Sequence, residues 1–438
     1  MYRQAFPLAL SAALFSQPLW ADGFLDDSKA DLTARNFFIN NDNRSGTATP
    51  SKQQEWGQGF ILNYTSGFTD GPVGWGLDAL GMLGIRLDSG KGRAYNNGSS
   101  GGGIVFPSDS DGRAVADFAT LGLTAKARLS NTEVRVGTLQ PHLPVIGIND
   151  GRLLPQTFQG TQVTSREVDN LTLIGGKITS VKGRNSSNQA SLSIAGANSE
   201  TGQRSNAFYY AGADYKLDPH TTAQYYFANL DDFYNQHFVG LTHSTKLPHG
   251  TLQTDLRGFI SDGQGENASE AGRLAGYKSS GAVGSNGEVD NRTWSGLFTY
   301  TLGSQSLAAG YQRVTGKSDF PFINQGDGNA PYLITSRQIG RFQHAGERTW
   351  LAQYSYDFAR LGLSGLSASV IYLNGDHVQA ASTGGEWERD IALNYVVNQG
   401  TFKGLGFSWL NAAFRTEVTG QRSQDENRLI MSYRFSLF

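Results

Sequence analysis

The 438-residue sequence predicts an all-β fold, a transmembrane antiparallel β-barrel, from three observations. The C-terminal segment alternates between apolar and polar residues and ends on the aromatic residue Phe438. Similar alternating runs recur along the chain. Tight connections between these runs alternate with long polar ones. Successive side chains of a strand point to opposite faces, so an alternating strand suits a wall between lipid and water. An edge strand of a soluble sandwich could explain one such segment, but the repetition favours the barrel.

Residues 1–21 have the features of a secretory signal peptide: a basic start at Arg3, an apolar core and a cleavage region that ends at Ala21. The remainder, 22–438, is predicted to be a single barrel domain. It contains no stretch of about 18 apolar residues, the length that a transmembrane helix needs. Only helices and closed barrels satisfy their backbone polar groups inside lipid, so an exported membrane protein of this sequence is predicted to be a barrel.

Composition agrees with this fold. Glycine is abundant at 55 residues, 11% of residues are aromatic, and only 17% are charged, whereas soluble domains carry about a quarter. The absence of cysteine excludes disulfides and thiolate metal sites. The net charge of −2 predicts no particular partner, so the distribution of charge matters more.

The alternating runs indicate the strands in chain order. They fall at 56–64, 83–87, 121–129, 209–217, 294–302, 350–358 and 429–437, with aromatic residues repeatedly at their ends. Connections at 130–132 and 302–305 are tight, whereas those at 89–112, 263–290 and 317–348 are long. Short turns at one end and long loops at the other are typical of outer-membrane barrels. The length of the chain predicts roughly sixteen to eighteen strands around an aqueous channel.

Six groups of residues also match a known family in order. They are 32–38, Gln58-Gly59-Phe60 with 66–69, Leu139-Gln140-Pro141 with 152–157, 346–350, 372–376 and 428–430. Together they resemble the OprD-type (Occ family) substrate-specific porins of the bacterial outer membrane. The resemblance implies an eighteen-stranded barrel, monomeric or loosely trimeric, with inward-folded constriction loops. It also implies diffusion of small carboxylate-bearing nutrients.

Side-chain parity predicts which charged residues line such a pore, because selectivity comes from charges at the constriction. The strand residues that parity places inside are Arg86, Lys126, Arg128, Arg135, Arg257, Arg428 and, if no bulge intervenes, Arg166. The proline- and glycine-rich segment 141–159 is predicted to be an inward loop whose charged members are Asp150 and Arg152. These cations resemble the basic ladder of the family. The alternative is that they pair with acids such as Asp255 and merely solvate the lumen.

A second predicted constriction loop, 322–343, departs from the family pattern. Relatives that take up basic amino acids carry a Ser-x-x-Tyr-x-Asp stretch at this place. This chain keeps Ser336 but has Ile339 and Arg341 at the other two positions, with Arg337 beside them. The departure favours small monocarboxylates, with aromatic acids such as benzoate as the more specific hypothesis. Apolar residues including Phe320 and Phe322 would then receive the ring.

Other functions remain as alternatives. One is a porin for basic amino acids and small peptides, and another is a surface-loop binding or adhesion protein. Enzymatic activity is not expected, because the seven histidines lie in different segments and none stands in a nucleophile motif. We expect no cofactor, no metal and no nucleic-acid partner. The expected partners are a small carboxylate and the lipid and lipopolysaccharide of the outer membrane.

Overall fold

The computed structural model describes residues 22–44, 51–89, 93–94, 103–195, 202–323, 330–379 and 384–438. The predicted signal peptide at 1–21 lies outside the described residues.

The described residues form a closed antiparallel barrel of eighteen strands, as predicted. Each strand pairs with its sequence neighbours, and the first strand pairs with the last from Asp31 opposite Ser436 to Asn43 opposite Gln424. Closure leaves no unpaired edge in the lipid. The strands are β1 Lys29–Asn43, β2 Lys52–Thr65, β3 Gly74–Asp88, β4 Asp117–Leu129, β5 Thr132–Leu139, β6 Thr157–Ser165, β7 Leu171–Lys182, β8 Phe208–Asp218, β9 Thr221–Leu230, β10 Tyr234–Leu247, β11 Gly250–Gly263, β12 Asp290–Leu302, β13 Gln305–Gly316, β14 Arg348–Asp357, β15 Leu366–Asp376, β16 Glu386–Val396, β17 Gly406–Thr416 and β18 Gln424–Ser436.

Little other regular structure is present in the described residues. It comprises the helices α1 Asp22–Asp26 and α2 Glu270–Leu274, the 3₁₀ turns Gly265–Ala268 and Phe358–Leu361, and three two-residue strands, His142–Leu143, Ile146–Gly147 and Gln189–Ala190. None of the helices within these residues is both long and apolar enough to cross a membrane.

The two ends of the barrel differ, as predicted. The turn end carries short connections such as 130–131, 219–220 and 303–304, and the loop end carries the long connections 89–116, 264–289 and 317–347. The chain terminus also lies at the turn end, where the backbone N–H of Ala30 donates to the carbonyl of Phe438 at 3.2 Å. Long loops face the outside of the cell in barrels of this kind, so the loop end marks the extracellular side.

The outer wall follows the predicted parity. Leu121 of β4 is 70% exposed and Trp350 of β14 is 64% exposed. Tyr209, Phe298 and Met431 are likewise exposed. Large apolar side chains exposed around a whole barrel are explained by contact with lipid.

The inner wall is less polar than parity alone predicts. Three apolar clusters cover parts of it, and each joins strand residues to a loop. In one of them Phe37 and Ile39 of β1 are fully buried beneath Leu153 of loop 140–156. The long loops therefore fold into the lumen and are held there by apolar burial, which contributes roughly 1.5–3 kcal/mol for each large side chain.

Glycines on β2 permit this close approach. A Cβ at Gly57 would lie 2.9 Å from the Leu153 side chain and 2.5 Å from Phe106, and a Cβ at Gly59 would lie 3.0 Å from Leu153. Any larger residue at either position would push the loop away from the wall.

Adjacent residues of β15 provide a test of the barrel wall. Val370 is exposed on the outer face near the middle of the strand, and Ser369 faces inward. We expect Val370→Arg to destabilise the barrel by about 2–4 kcal/mol, because a cation near the bilayer midplane must be desolvated. Ser369→Arg should cost far less. Urea unfolding of the refolded protein in lipid vesicles measures both changes, and equal costs would contradict the assignment of the two faces.

Candidate functional site: the constriction of the lumen

Loop 140–156 crosses the lumen and is held by an arginine of the barrel wall. Arg35 of β1 donates to both carboxylate oxygens of Asp150, at 2.6 and 3.0 Å. It also donates to the carbonyl of Arg152 at 2.7 Å. This two-point contact is the geometry in which a guanidinium binds a carboxylate most strongly, so it fixes the tip of the loop against β1.

Arg428 of β18 connects both predicted constriction loops. Its guanidinium donates to the carbonyl of Gly151 at 3.1 Å and to that of Gln338, in loop 317–347, at 3.0 Å. Glu426 accepts from the same side chain at 2.7 Å. Arg428 is therefore a wall residue that positions two loops at once.

A further arginine approaches the same segment. Arg184 donates to the side-chain oxygen of Asn149 at 2.9 Å. A Cβ at Gly151 would lie 3.4 Å from one Arg428 nitrogen and 3.7 Å from one Arg184 nitrogen. Segment 149–152 thus includes or contacts four guanidinium groups, Arg35, Arg152, Arg184 and Arg428. Two carboxylates, Asp150 and Glu426, pair directly with members of this set.

Acidic residues of β16 hold the second loop. The two oxygens of Glu388 accept from the backbone N–H groups of Ile339 and Gly340 at 2.9 and 2.6 Å. Asp390 accepts from the N–H of Gln338 at 3.5 Å. Both carboxylates also act electrostatically on Arg337. The positive charge that the sequence predicts for this loop is therefore offset locally by the carboxylates of Glu388 and Asp390.

The remaining predicted residues of this loop are also engaged. Arg341 lies over the ring of Phe322, 5.3 Å from its centroid. Ser336 is half-buried, and its backbone N–H donates to the carbonyl of Leu333 in a turn. Phe322 is itself buried, as is Phe320, which packs edge-on against Phe259 at 4.9 Å. The expectation that these two phenylalanines form an open ring-binding surface is corrected, because they pack into the wall cluster.

Arg257 forms a separate unit on the inner face of β11. It binds Asp255 at 2.6 Å and donates to the carbonyl of Tyr332 at 3.1 Å. Its guanidinium also stacks on the Tyr332 ring, 3.7 Å from the centroid. Tyr332 as a whole residue is 36% exposed, so a cation and an aromatic side chain lie together in loop 317–347 and beside it.

Three predicted cations lie toward the turn end. Lys126 is buried and binds Asp78 at 2.7 Å, and Arg135 lies 3.7 Å from the same carboxylate. Arg128 stacks on Phe68 at 4.4 Å. For Lys126 the pairing alternative applies, since its ammonium is enclosed by Asp78 and the carbonyl of Ser66.

Two predicted arginines support loop 89–116. Arg86 contacts the carbonyl of Ala114, and Arg152 contacts the carbonyl of Ile104. The fully buried Glu55 of β2 accepts from the N–H groups of Ile104 and Val105 at 2.6 and 2.9 Å. Arg86 therefore positions a loop, and Arg152 links two loops to each other.

Arg166 does not join these groups. It follows β6 in the short connection 166–170, and its side chain is exposed at the turn end. Parity cannot place it on an inner face, because the strand ends at Ser165.

Sequence reasoning missed several residues of the constriction. Arg35 shares its face with the apolar Phe37 and Ile39, which parity would assign to lipid. The acids of β16 carried a visible signal, since Glu386, Glu388 and Asp390 alternate along one strand. A search for inward anions as well as cations would have found them.

A buried charged cluster holds the base of loop 317–347. The Nδ1 atom of His344 lies 3.2 Å from Asp319, and the Gln421 amide lies 2.6 Å from Nε2. The backbone N–H of His344 donates to Glu347 at 2.9 Å, and Glu386 lies 4.0 Å from the ring.

Burial alone would lower the pKa of His344, but the hydrogen bond and charge of Asp319, with the nearby glutamates, outweigh it and raise the pKa to about 9. Burial also raises the pKa of Glu347 well above its usual range.

Within the part of the chain that the structure describes, no group of three or more His, Asp or Glu side chains is arranged to hold a metal ion.

A closed barrel with an apolar outer wall and a lumen narrowed by folded, charged loops defines a porin of the bacterial outer membrane. Residues 22–437 match the model of the family described as outer membrane porin, OprD family, and the chain belongs to this family. It is therefore an outer-membrane channel for substrate-specific uptake.

Known relatives extend over the whole length of the chain. It is 37% identical to the porin-like protein GalP of Pseudomonas putida over 99% of both chains. Two solved structures from Pseudomonas aeruginosa are also similar. OccK8 (OprE) is 57% identical with a TM-score of 0.87 over 95% of this chain and 100% of that one. OpdK with vanillate is 35% identical with a TM-score of 0.82 over 94% and 100%. GalP is named a porin-like protein, and porins are channels rather than enzymes.

The cluster at His344 predicts a pH-dependent constriction. Because the folded pKa of about 9 exceeds the ordinary value of 6.5, the stabilisation is complete below about pH 6.5 and is lost as the pH rises through about 9. We expect open-channel current noise in planar bilayers to increase across this interval as loop 317–347 loosens. His344→Gln should be noisy at every pH. Equal pH dependence in the variant and the wild type would contradict this role of His344.

Proposed function

We propose that this porin passes small carboxylate-bearing nutrients, with monocarboxylates preferred. The supporting observation is the group of guanidiniums around segment 149–152, where Arg35, Arg184 and Arg428 converge from the wall and from another loop. The planar fork of arginine matches a carboxylate, and several such forks close together allow an anion to be passed from one to the next.

The acids of the lumen do not cancel this preference at the loop surface. Glu55 and Glu388 are fully buried, and their oxygens are occupied by loop N–H groups. Asp150 is the exposed acid of the segment, with its side chain 47% accessible, and it pairs with Arg35. A solute that reaches the loop tip therefore meets the paired Asp150 together with the guanidiniums of Arg35 and Arg428, whose side chains are 16% and 11% accessible. The low-dielectric wall strengthens the resulting field.

Aromatic acids are the more specific part of the proposal. The half-exposed Tyr332 ring, stacked with Arg257, offers a flat face beside a cation. The OpdK structure with vanillate, an aromatic monocarboxylate, supports this class of substrate by analogy. Phe320 and Phe322 do not contribute such a face, because both are buried.

Uptake of basic amino acids and small peptides is the competing hypothesis within the same family. The acids of β16 are its best candidates for binding an ammonium or guanidinium group. Their engagement with the backbone of residues 338–340 and with Arg337 argues against it.

Block of single-channel current separates the two substrates. Benzoate added to the purified porin in planar bilayers should produce concentration-dependent interruptions of the current, and arginine at the same concentration should produce fewer. Interruption by arginine but not by benzoate would overturn the proposal.

The ion pair at the loop tip should control charge selectivity. Arg35→Gln should lower the anion-to-cation permeability ratio, and Asp150→Asn should raise it, each by roughly twofold or more, because each removes one charge at the constriction. Reversal potentials in a KCl gradient measure the ratio. Arg292→Gln is the matched control, since Arg292 also pairs with an aspartate, Asp262, but on the outer wall. Shifts of the same sign in both constriction variants would refute the placement of the selective charge.

A further inference from the structure

A pair of arginines stands on the outer wall near the loop end, where no lumen function can use it. Arg313 of β13 lies directly opposite Arg348 of β14 in the strand register. The flanking residues Gln312 and Val314 are buried on the inner side, so Arg313 points outward. Like charges placed directly opposite each other destabilise a strand pair unless something neutralises them.

The protein supplies one anion to this pair. Arg348 binds Asp376 with two hydrogen bonds, of 3.0 and 3.3 Å, and also contacts the ring of His377. Arg313 has no hydrogen bond or ion pair within the described residues, and its side chain is exposed. The site therefore holds an unneutralised guanidinium beside a second one that is already oriented.

An aromatic group lies immediately below the pair, toward the centre of the membrane. The Tyr311 ring lies 4.4 Å from Trp350 and 5.3 Å from Trp294, measured between centroids. Both tryptophans are exposed. Aromatic girdles of this kind mark the level where lipid head groups meet acyl chains, and the two arginines lie two residues farther out on their strands.

A groove opens at the same place. It has a volume of about 540 Å³, and its lining includes Arg313, Arg348, His377, Gly316 and Gly384. The charge is thus accompanied by space for a head group, and the groove adjoins exposed aromatic surface on the membrane side.

We propose that Arg313 and Arg348 bind a phosphate group of a phosphorylated glycolipid in the outer leaflet, that is, of lipopolysaccharide. Guanidinium groups bind phosphate oxygens in a two-point geometry, and with Asp376 paired to Arg348 the two arginines keep one net positive charge for a phosphate to offset. The acyl chains of the lipid lie against Trp294, Tyr311 and Trp350. Two other outward arginines of this rim are neutralised: Arg292 binds Asp262 at 2.7 Å, and Arg415 binds Asp425 at 2.7 Å.

Native mass spectrometry of the detergent-solubilised porin tests the site, with purified bisphosphorylated lipid A as the probe. We expect Arg313→Gln to weaken binding of the tightest lipid roughly tenfold or more, because a charge-assisted bond is lost. Arg313→Lys should retain part of the affinity. Arg292→Gln is the matched control and should bind as the wild type does. Unchanged single-channel conductance of all three variants will show that the barrel is intact.

Three results would overturn the proposal. The first is equal affinity of the wild type and Arg313→Gln for bisphosphorylated lipid A. The second is equally tight binding of dephosphorylated lipid A to the wild type, which would indicate binding through acyl chains alone. The third is displacement of the lipid by inorganic phosphate at equimolar concentration, which would indicate a site for the free anion.

Discussion

Every backbone N–H and C=O group that leaves water must find a partner, and this requirement determines both the wall and the constriction of this porin. In the wall, the pairing of β1 with β18 completes a ladder without an edge. In the lumen, the loops have no ladder to join. Glu55 and Glu388 supply the missing partners by accepting two or more loop N–H groups each. Inward carboxylates are therefore what allow irregular chain to pack against the inside of the barrel.

This arrangement divides the charges of the lumen by task. Acids that hold loop backbone, such as Glu55 and Glu388, are fully buried, whereas the guanidiniums of Arg35 and Arg428 stay partly accessible at segment 149–152. Arg428 performs both tasks, because it binds Gly151 and Gln338 through their carbonyls while keeping its positive charge close to the loop tip. Arg428 thus sets both the distance between the two loops and the electrostatic field between them. Selection of solutes by size and selection by charge are therefore coupled in this fold.

The sequence was sufficient for the features that depend on strand period. The alternation at 429–437 predicted the outer face of β18, and the lengths of the connections predicted which end carries the loops. The strand count came from the family resemblance, since the length of the chain allowed sixteen as well as eighteen. The pairing of charged side chains could not be predicted from the sequence. Arg35 and Asp150 are 115 positions apart, and the partner of Lys126 is on another strand at Asp78. Parity also failed where loops fill the lumen, because Phe37 and Ile39 are apolar and yet face inward.

Hydrogen–deuterium exchange of the detergent-solubilised protein tests the central claim most directly. The N–H groups of residues 104–105 and 339–340 lie in loops, but their bonds to Glu55 and Glu388 predict exchange as slow as that of the adjoining strands. The exposed residues 398–402, in the connection between β16 and β17, provide the reference for unprotected chain. Exchange of the loop amides as fast as that of 398–402 would contradict the account, because it would show that inward carboxylates do not hold the loops in the lumen.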